Sequence, residues 1–234
     1  MIDDEKAAAA LRLADMYAPE ELHPELKARV FANTSFDVLQ HPLVFSVPYN
    51  EISNKMLNKN LAYKKQAVAE AQAEGNWHRY VFLHERPFRF DALQSVQDKF
   101  TDGKEYWRVV GSVWTDSENI YQQFAAWKRL WASSLAGRDA LMDEEEREVL
   151  AAMPEVLTVY RGFKIKKSER GLSWTTDRDK AVWFARRLRY PHQSSFVAQA
   201  NVAKKDVLAY FDGRNEKEVV VLPTSLKNLL SERV

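Results

Sequence analysis

The pattern of apolar residues changes near residue 155, and this change most constrains the fold. Short apolar runs typical of strands follow at 156–163, 171–175, 195–202, 207–211 and 218–222. A helix-like segment at 177–188 lies between the second and third runs, with Ala181, Val182, Phe184 and Ala185 at inward positions. Short strands with one helix threaded between them predict an α+β fold with a mixed β-sheet.

The region before this change predicts mainly helices. The helix-like segments are 4–17, 53–74, 90–100, 116–137 and 143–153. Two apolar runs, 80–83 and 107–113, predict strands. The stretch 32–52 contains Pro42 and Pro48, which oppose a long regular element there. We therefore expect a largely helical region, 1–140, of unknown role, packed on a strand-rich core, 141–234.

Composition excludes several classes of function. The chain has 234 residues, no cysteine and five dispersed histidines. Disulfides and cysteine-ligated zinc are therefore excluded, and we expect no metal site. The net charge of +1 gives no electrostatic argument for general nucleic-acid binding, although a nucleic acid stays open as an acceptor. Without a signal peptide or a long apolar segment, we expect a cytoplasmic protein; export without a cleavable signal stays open.

Polar residues border the strand-like runs in three places. Arg161 and Gly162 lie at the end of the first run, Ser173 lies within the second, and Glu216 and Glu218 begin the last. An arginine fork suits a phosphate, and a glycine lets a ligand approach the backbone. The structural alternatives are a surface arginine at a strand end and a turn serine.

The two glutamates suggest chemistry at a developing positive charge. Because Glu216 and Glu218 are two apart at the start of a predicted strand, we expect their side chains on one face. Two carboxylates in one cleft repel each other, which raises the pKa of one of them. Together they can stabilise a cationic transition state. The alternative is a solvated strand edge, since Glu-x-Glu often arises by chance.

Two other patterns favour structural roles over functional ones. Ile120, Phe124, Trp127 and Trp131 step by helical spacing, which indicates a buried core face rather than a ring-stacking site. The acidic run 144–146 follows Asp143 and is typical of a solvated first helical turn rather than a metal site.

In this order, the three polar motifs resemble the arginine–serine–glutamate class of mono-ADP-ribosyltransferases, over roughly residues 140–225. Tyr160-Arg161-Gly162 is similar to the arginine that closes the first core strand of that class. The segment 172–176 and the helix after it resemble the class's Ser-Thr-Ser strand and helix. The segment 215–221, with Glu216 and Glu218, resembles its Glu-x-Glu motif. The resemblance implies an ADP-ribosyltransferase-like core.

The resemblance also implies NAD as the substrate and a role for each matching residue. Arg161 would hold the pyrophosphate, and Ser173 would orient Glu218. Glu218 would bond the ribose 2′-hydroxyl and stabilise the oxocarbenium-like state as nicotinamide leaves. Glu216 would orient and deprotonate the acceptor, and a glutamate there implies an arginine of a target protein. The residues expected to contact NAD are Arg161, Gly162, Ser173, Trp174, Thr175 and Glu218.

The expected protein is therefore an NAD-dependent protein ADP-ribosyltransferase. The class includes bacterial toxins and phage enzymes, which implies an effector that is delivered into, or made in, a host cytoplasm. An NAD glycohydrolase using the same site and a non-enzymatic binding module stay open as alternatives. In the loop 210–215, Tyr210 is either an acceptor contact or a core residue. In the basic segment 186–192, Tyr190, like Phe196 after it, is a candidate for stacking on nicotinamide; a solvated helix end is the alternative for this segment.

Overall fold

The structure, a computed structural model, describes residue 6 and residues 18–118, 120–187 and 194–234. The chain divides into two compact units, Met1–Thr101 and Asp102–Val234. The expected boundary near residue 140 falls inside the second unit, so residues 102–140 belong to the same unit as the strand-rich region. Helices and antiparallel sheets occur in the described residues of both units, which confirms the α+β class.

The first unit combines a three-stranded antiparallel sheet, in the order β1-β2-β3, with helices. Its elements are α1 (Pro24–Lys27), β1 (Val30–Phe31), β2 (Asp37–His41), β3 (Val44–Tyr49), α2 (Asn54–Ala73), α3 (Trp77–Leu83) and α4 (Arg89–Ser95). Short 3-10 helices lie at Glu51–Ser53, Arg86–Phe88 and Gln97–Lys99. Leu26, Leu39, Val44, Leu57 and Leu61 form its core, so the sheet is buried against α1 and α2.

In this unit the long helix predicted at 53–74 is confirmed as α2, and it ends before Gly75, whose φ of 67° suits glycine. The strand predicted at 80–83 is wrong, because these residues complete α3. Asn76 caps that helix by accepting a bond from the Arg79 backbone N–H at 3.0 Å. The predicted helix at 4–17 lies outside the described residues, apart from residue 6.

The second unit contains a six-stranded antiparallel sheet in the order β7-β8-β5-β4-β6-β9. Its helices are α5 (Gly103–Asp116), α6 (Phe124–Trp131), α7 (Glu144–Ala152) and α8 (Arg178–Arg186). Its strands are β4 (Val156–Phe163), β5 (Ser173–Thr175), β6 (Phe196–Ala203), β7 (Val207–Phe211), β8 (Glu218–Val221) and β9 (Lys227–Arg233). Short 3-10 helices lie at Ile120–Gln123, Arg138–Leu141, Lys166–Ser168, Lys204–Asp206 and Pro223–Ser225. The sheet was expected to be mixed, but every pairing between its described strands is antiparallel.

Most strands of this unit match the sequence prediction. The bounds of β4 and β7 are those of the predicted runs. The strand β9 was not predicted, because its mostly exposed, charged sequence lacks an apolar face. The strand predicted at 107–113 is wrong, since these residues form the middle of α5. That helix buries seven of its fourteen residues, and this density of buried residues resembles that of a buried strand.

The helices of this unit follow their local sequence. Asp143 begins α7 with a capping box in which Glu146 returns a bond to the Asp143 backbone, as its acidic first turn predicts. The helix expected at 116–137 is shorter, because a 3-10 turn precedes α6 and α6 ends at Trp131. No helix among the described residues is long and apolar enough to cross a membrane.

Candidate active site

Three adjacent strands bring the predicted arginine, serine and glutamate side by side. Strand β5 lies between β4, which carries Arg161, and β8, which begins at Glu218. Ser173 is the first residue of β5, and Thr175 on the same strand pairs with Glu218 across the sheet. The sheet order therefore assembles motifs that are separate in the sequence.

The assembled residues line a cleft made of two adjoining cavities. The larger has a volume of about 300 Å³ and the smaller about 200 Å³. Residues that line both are Arg161, Ser173, Phe184, Glu216 and Glu218. Small-molecule sites span roughly 300–1,000 Å³ and hold a few polar groups among apolar walls. The cleft has this size and character, with one cation, one hydroxyl and two carboxylates shared between its two parts.

Glu218 is a buried carboxylate with two hydrogen-bond donors. Its exposed fraction is 6%. The Trp114 indole N–H donates to its Oε1 at 3.3 Å, and the Ser173 hydroxyl also hydrogen-bonds it. Burial raises the pKa of Glu218, and the nearby charge of Glu216 raises it further, while the two hydrogen bonds oppose this change. The carboxylate is therefore held in place by donors yet poorly solvated.

Arg161 is fixed by backbone carbonyls rather than by an acid. Its Nε donates to the Ser168 carbonyl at 2.9 Å, and its Nη1 donates to the Ser173 carbonyl at 2.6 Å. A Cβ at Gly171 would lie 2.3 Å from the guanidinium carbon, so any larger residue there would displace the guanidinium from this position. Desolvation lowers the pKa of Arg161 to about 10, so it remains a cation at neutral pH. The site therefore contains a rigidly placed positive charge.

Glu216 reaches the cleft by a route that differs from the predicted one. It lies before β8 rather than within it, and Asn215 and Lys217 on either side have positive φ values of 53° and 46°. The expected strand alternation is therefore wrong for this pair, although Glu216 and Glu218 line the same cavities. The Arg214 Nη2 pairs with Glu216 Oε2 at 3.0 Å.

Gly162 lets α8 pack closely on β4. A Cβ at this position would lie 2.2 Å from the Ala181 carbonyl oxygen and 2.4 Å from the Ala185 nitrogen. The space that a side chain would need is thus filled by α8, which packs directly on β4. Gly162 also lines the smaller cavity. Its close packing places Phe184, on the same helix, in the wall of the cleft.

Trp174 and Thr175 also line the smaller cavity, and both tie loops to β5. The Trp174 ring N–H donates to the Gly171 carbonyl at 2.9 Å. The Thr175 hydroxyl donates to the Glu216 carbonyl at 2.7 Å and accepts from the Asp177 backbone N–H at 3.0 Å. The two side chains are 2% and 5% exposed, so their contacts are mostly with the protein itself.

Sequence reasoning did not identify the wall opposite the sheet. Trp114, Ile120, Tyr121 and Phe124 line the larger cavity. Ile120 and Phe124 belong to the apolar stripe that was interpreted as a core face. In the structure one half of that stripe is buried and the other half lines the cavity. Trp127 and the last residue of α6 are buried, whereas Ile120 and Phe124 are partly exposed. The sequence analysis did not identify Trp114. This residue directly follows the run 107–113, which was predicted to be a strand, so no helical face was considered there.

Other candidate residues lie elsewhere. Tyr210 is 4% exposed within β7, which supports its interpretation as a core residue, and burial raises its pKa to about 12. Phe196 stacks on Phe163 with ring centroids 5.4 Å apart. Tyr190 lies outside the described residues, as does most of the basic segment 186–192.

The acidic first turn of α7 supports the loop next to the cleft. Glu146 accepts bonds from the backbone N–H groups of Asp143 and Asp212, both at 3.1 Å. The Asp212 carboxylate in turn accepts from the Lys217 backbone N–H at 3.0 Å. This chain of contacts anchors both ends of the segment that contains Glu216. Among the described residues, no group of three acidic or histidine side chains could hold a metal ion.

The arrangement suits a ligand with both negative charge and a centre that becomes positive. Arg161 supplies a fixed cation, which attracts phosphate oxygens. Glu218 supplies a desolvated carboxylate, and electrostatic stabilisation of a developing cation is strongest where water is excluded. The apolar wall from Ile120 to Phe124 offers a surface for a planar ring. Comparisons with family models, curated proteins and solved structures find no significant match to this chain.

Proposed function

We propose that the protein is a mono-ADP-ribosyltransferase that transfers ADP-ribose from NAD to an arginine of a target protein. The observation that carries this proposal is the cleft in which Arg161, Ser173, Glu216 and Glu218 meet. A guanidinium can hold the phosphates of a nucleotide, and a carboxylate can stabilise the positive charge that develops as a glycosidic bond breaks.

In the proposed reaction Arg161 binds the pyrophosphate of NAD. Glu218 lies against the nicotinamide-side ribose and accepts a hydrogen bond from its 2′-hydroxyl. As the bond between C1′ and the nicotinamide nitrogen breaks, its electron pair leaves with nicotinamide and C1′ becomes positive. The ionised Glu218 stabilises this charge, as a carboxylate does in glycoside cleavage. Ser173 and Trp114 keep that carboxylate oriented.

Glu216 is assigned to the acceptor. A guanidinium nitrogen of the target attacks C1′, and Glu216 removes its proton as the new bond forms. Because Glu216 and Glu218 line the same cavities, both steps can occur in one place. If water takes the place of the acceptor, the same groups perform NAD hydrolysis.

The direct test measures nicotinamide release from NAD by the whole protein, with and without a cell lysate. We expect release and transfer of label to arginine side chains. Glu218→Gln should lower release by about 10²–10³-fold, the usual effect of losing one electrostatic contact to a transition state. Glu148→Gln, at an exposed position of α7, is the matched control and should keep the parent rate.

The outcomes separate the candidate functions. Release with labelled arginine supports the transferase, whereas release with free ADP-ribose as the only product identifies a glycohydrolase. If the folded protein releases no nicotinamide under any condition, both enzymatic proposals are refuted and a binding role remains. Labelling of another residue type would reject the assignment of Glu216 to an arginine acceptor.

A further inference from the structure

A guanidinium of the chain itself lies where the acceptor would have to be. Arg214 Nη2 is 3.0 Å from Glu216 Oε2, and both residues line the larger cavity together with Glu218. The positive charge of Arg214 also opposes the rise in the pKa of Glu218 that burial causes, so Arg214 lies near both carboxylates. The cleft is therefore already supplied with the functional group that Glu216 was assigned to receive.

The exposure of the pair defines how an external acceptor would enter. The Arg214 side chain is 47% exposed, and that of Glu216 is 18% exposed. Arg214 is thus the more exposed partner of the pair, and it already occupies Glu216 Oε2. A guanidinium of another protein must displace it to reach the same carboxylate, whereas Arg214 needs no displacement.

The loop holds this arginine beside the cleft rather than away from it. The Asp212 carbonyl accepts from the Asn215 backbone N–H at 2.7 Å, and the Asp212 carboxylate accepts from the Lys217 backbone N–H at 3.0 Å. Arg214 therefore lies at the tip of a short turn that is closed on itself. Tethering of this kind raises the effective concentration of a reacting group far above that of a free partner.

We propose that Arg214 is itself an ADP-ribose acceptor, so that the protein modifies its own chain at this residue; this inference depends on the proposed function. The bond between C1′ of the nicotinamide ribose and the nicotinamide nitrogen breaks, and nicotinamide leaves with the electron pair. A bond between C1′ and an Arg214 Nη forms, and one guanidinium proton passes to Glu216 and then to water. The substituted guanidinium stays positively charged, and no oxidant or further reactant is needed.

Modification of Arg214 should stop further self-labelling of the same chain. Each chain offers one Arg214, so labelling should stop at one ADP-ribose per chain. Because the catalytic site and the acceptor belong to the same chain, the fraction of chains labelled per unit time should not depend on protein concentration. The modified arginine then carries a bulky anionic group beside both carboxylates. This group separates the Arg214 guanidinium from Glu216.

The experiment incubates the full chain with NAD alone, follows its intact mass and maps the modified residue by peptide mass spectrometry. We expect one added ADP-ribose, on Arg214, in the parent protein and in Arg129→Lys. Arg129 is an exposed arginine on α6 that does not line the cleft, so this variant is the matched control. Arg214→Lys should lose the added mass while still releasing more nicotinamide than Glu218→Gln.

A mixing experiment tests that the reaction occurs within one chain. The Glu218→Gln protein, which keeps Arg214, is incubated with NAD and the Arg214→Lys protein. We expect no label on the Glu218→Gln chain. Label on that chain, or equal labelling of several surface arginines, overturns the proposal.

These experiments distinguish failure of self-modification from failure of the proposed function. Nicotinamide release without modification of Arg214 refutes self-modification and leaves the proposed function intact. Absence of nicotinamide release from every folded variant refutes the proposed function itself.

Discussion

Replacement of Trp114 by phenylalanine tests how Glu218 is controlled. Trp114 is 1% exposed, and its indole N–H donates to Glu218 Oε1 at 3.3 Å. Its ring also packs edge-on against Trp127 and Trp131, with centroids 5.0 Å away in both cases. Phenylalanine keeps a ring in this aromatic cluster but removes the donor, so the substitution acts mainly on the carboxylate.

The size of the effect follows from the hydrogen bond. A bond to a charged group contributes roughly 1.5–3 kcal/mol. At 3.3 Å this contact is longer than the usual 2.7–2.9 Å of charge-assisted bonds, so we use the lower end, about 1.5 kcal/mol. One pKa unit corresponds to about 1.36 kcal/mol. Because the lost donor stabilises the ionised form, Trp114→Phe should raise the pKa of Glu218, already raised by burial, by about one further unit.

The assay is the pH profile of nicotinamide release under saturating NAD. The proposed chemistry needs ionised Glu218, so the acidic limb of the profile should move upward by about one pH unit. Below this limb the variant should be about tenfold slower, and above it the two rates should converge. The ratio of the parent rate to the Trp114→Phe rate should therefore change with pH.

Trp131→Phe provides the matched control. Trp131 belongs to the same buried cluster, but its indole nitrogen has no hydrogen-bond partner among the described residues. This variant removes an equal part of a ring without touching the carboxylate, so its acidic limb should not move. If Trp114→Phe loses the same activity at every pH, or if both variants shift the limb alike, the assigned role of the indole is refuted.

Three further substitutions test the site's construction. Glu218→Gln should raise the melting temperature at neutral pH, because burial raises the folded-state pKa and ionisation therefore opposes folding; the gain should vanish below the unfolded pKa of about 4.3. Gly162→Ala should destabilise the protein by about 1–3 kcal/mol in chemical denaturation, whereas Gly213→Ala, with nothing within 4 Å of its Cβ, should stay within about 0.5 kcal/mol. Thr175→Val removes bonds to the Glu216 carbonyl and the Asp177 N–H, so it should cost about 1–3 kcal/mol of stability and slow transfer to the acceptor more than nicotinamide release. Equal losses in those two rates would contradict an effect through the Glu216 loop.

The sequence predicted those parts of the fold in which local pattern and tertiary burial agree. Strands β4 and β7 are short apolar runs between turn residues, and α7 carries its own cap at Asp143. The failures at 80–83 and 107–113 have one cause. A short run dominated by apolar residues fits a buried strand and a buried helix equally well, and only packing partners decide between them. For 107–113 those partners include Trp131 on α6, whose ring centroid lies 6.3 Å from that of Trp107.

The site divides in the same way. Arg161, Ser173 and Glu218 could be found because each lies on or beside a strand whose apolar residues identify it. Trp114 could not be found, since its contact with Glu218 spans 104 positions and joins a helix to a strand. Local patterns identify the residues of one sheet, but the groups that cover the sheet are determined by tertiary packing alone.

Glu216 reaches the cleft for a reason that the sequence pattern did not include. The expected same-face geometry required a regular strand, yet Lys217 adopts a left-handed φ of 46° and the strand begins only at Glu218. The bond from Thr175 to the Glu216 carbonyl, together with the Asp212 turn, fixes the backbone so that both carboxylates still line one cavity. The two carboxylates therefore stand on different supports, one on the sheet and one on a tethered loop. Under the proposed function, a change in the loop should alter acceptor choice while Glu218 keeps its place, because the two carboxylates are held by separate parts of the chain.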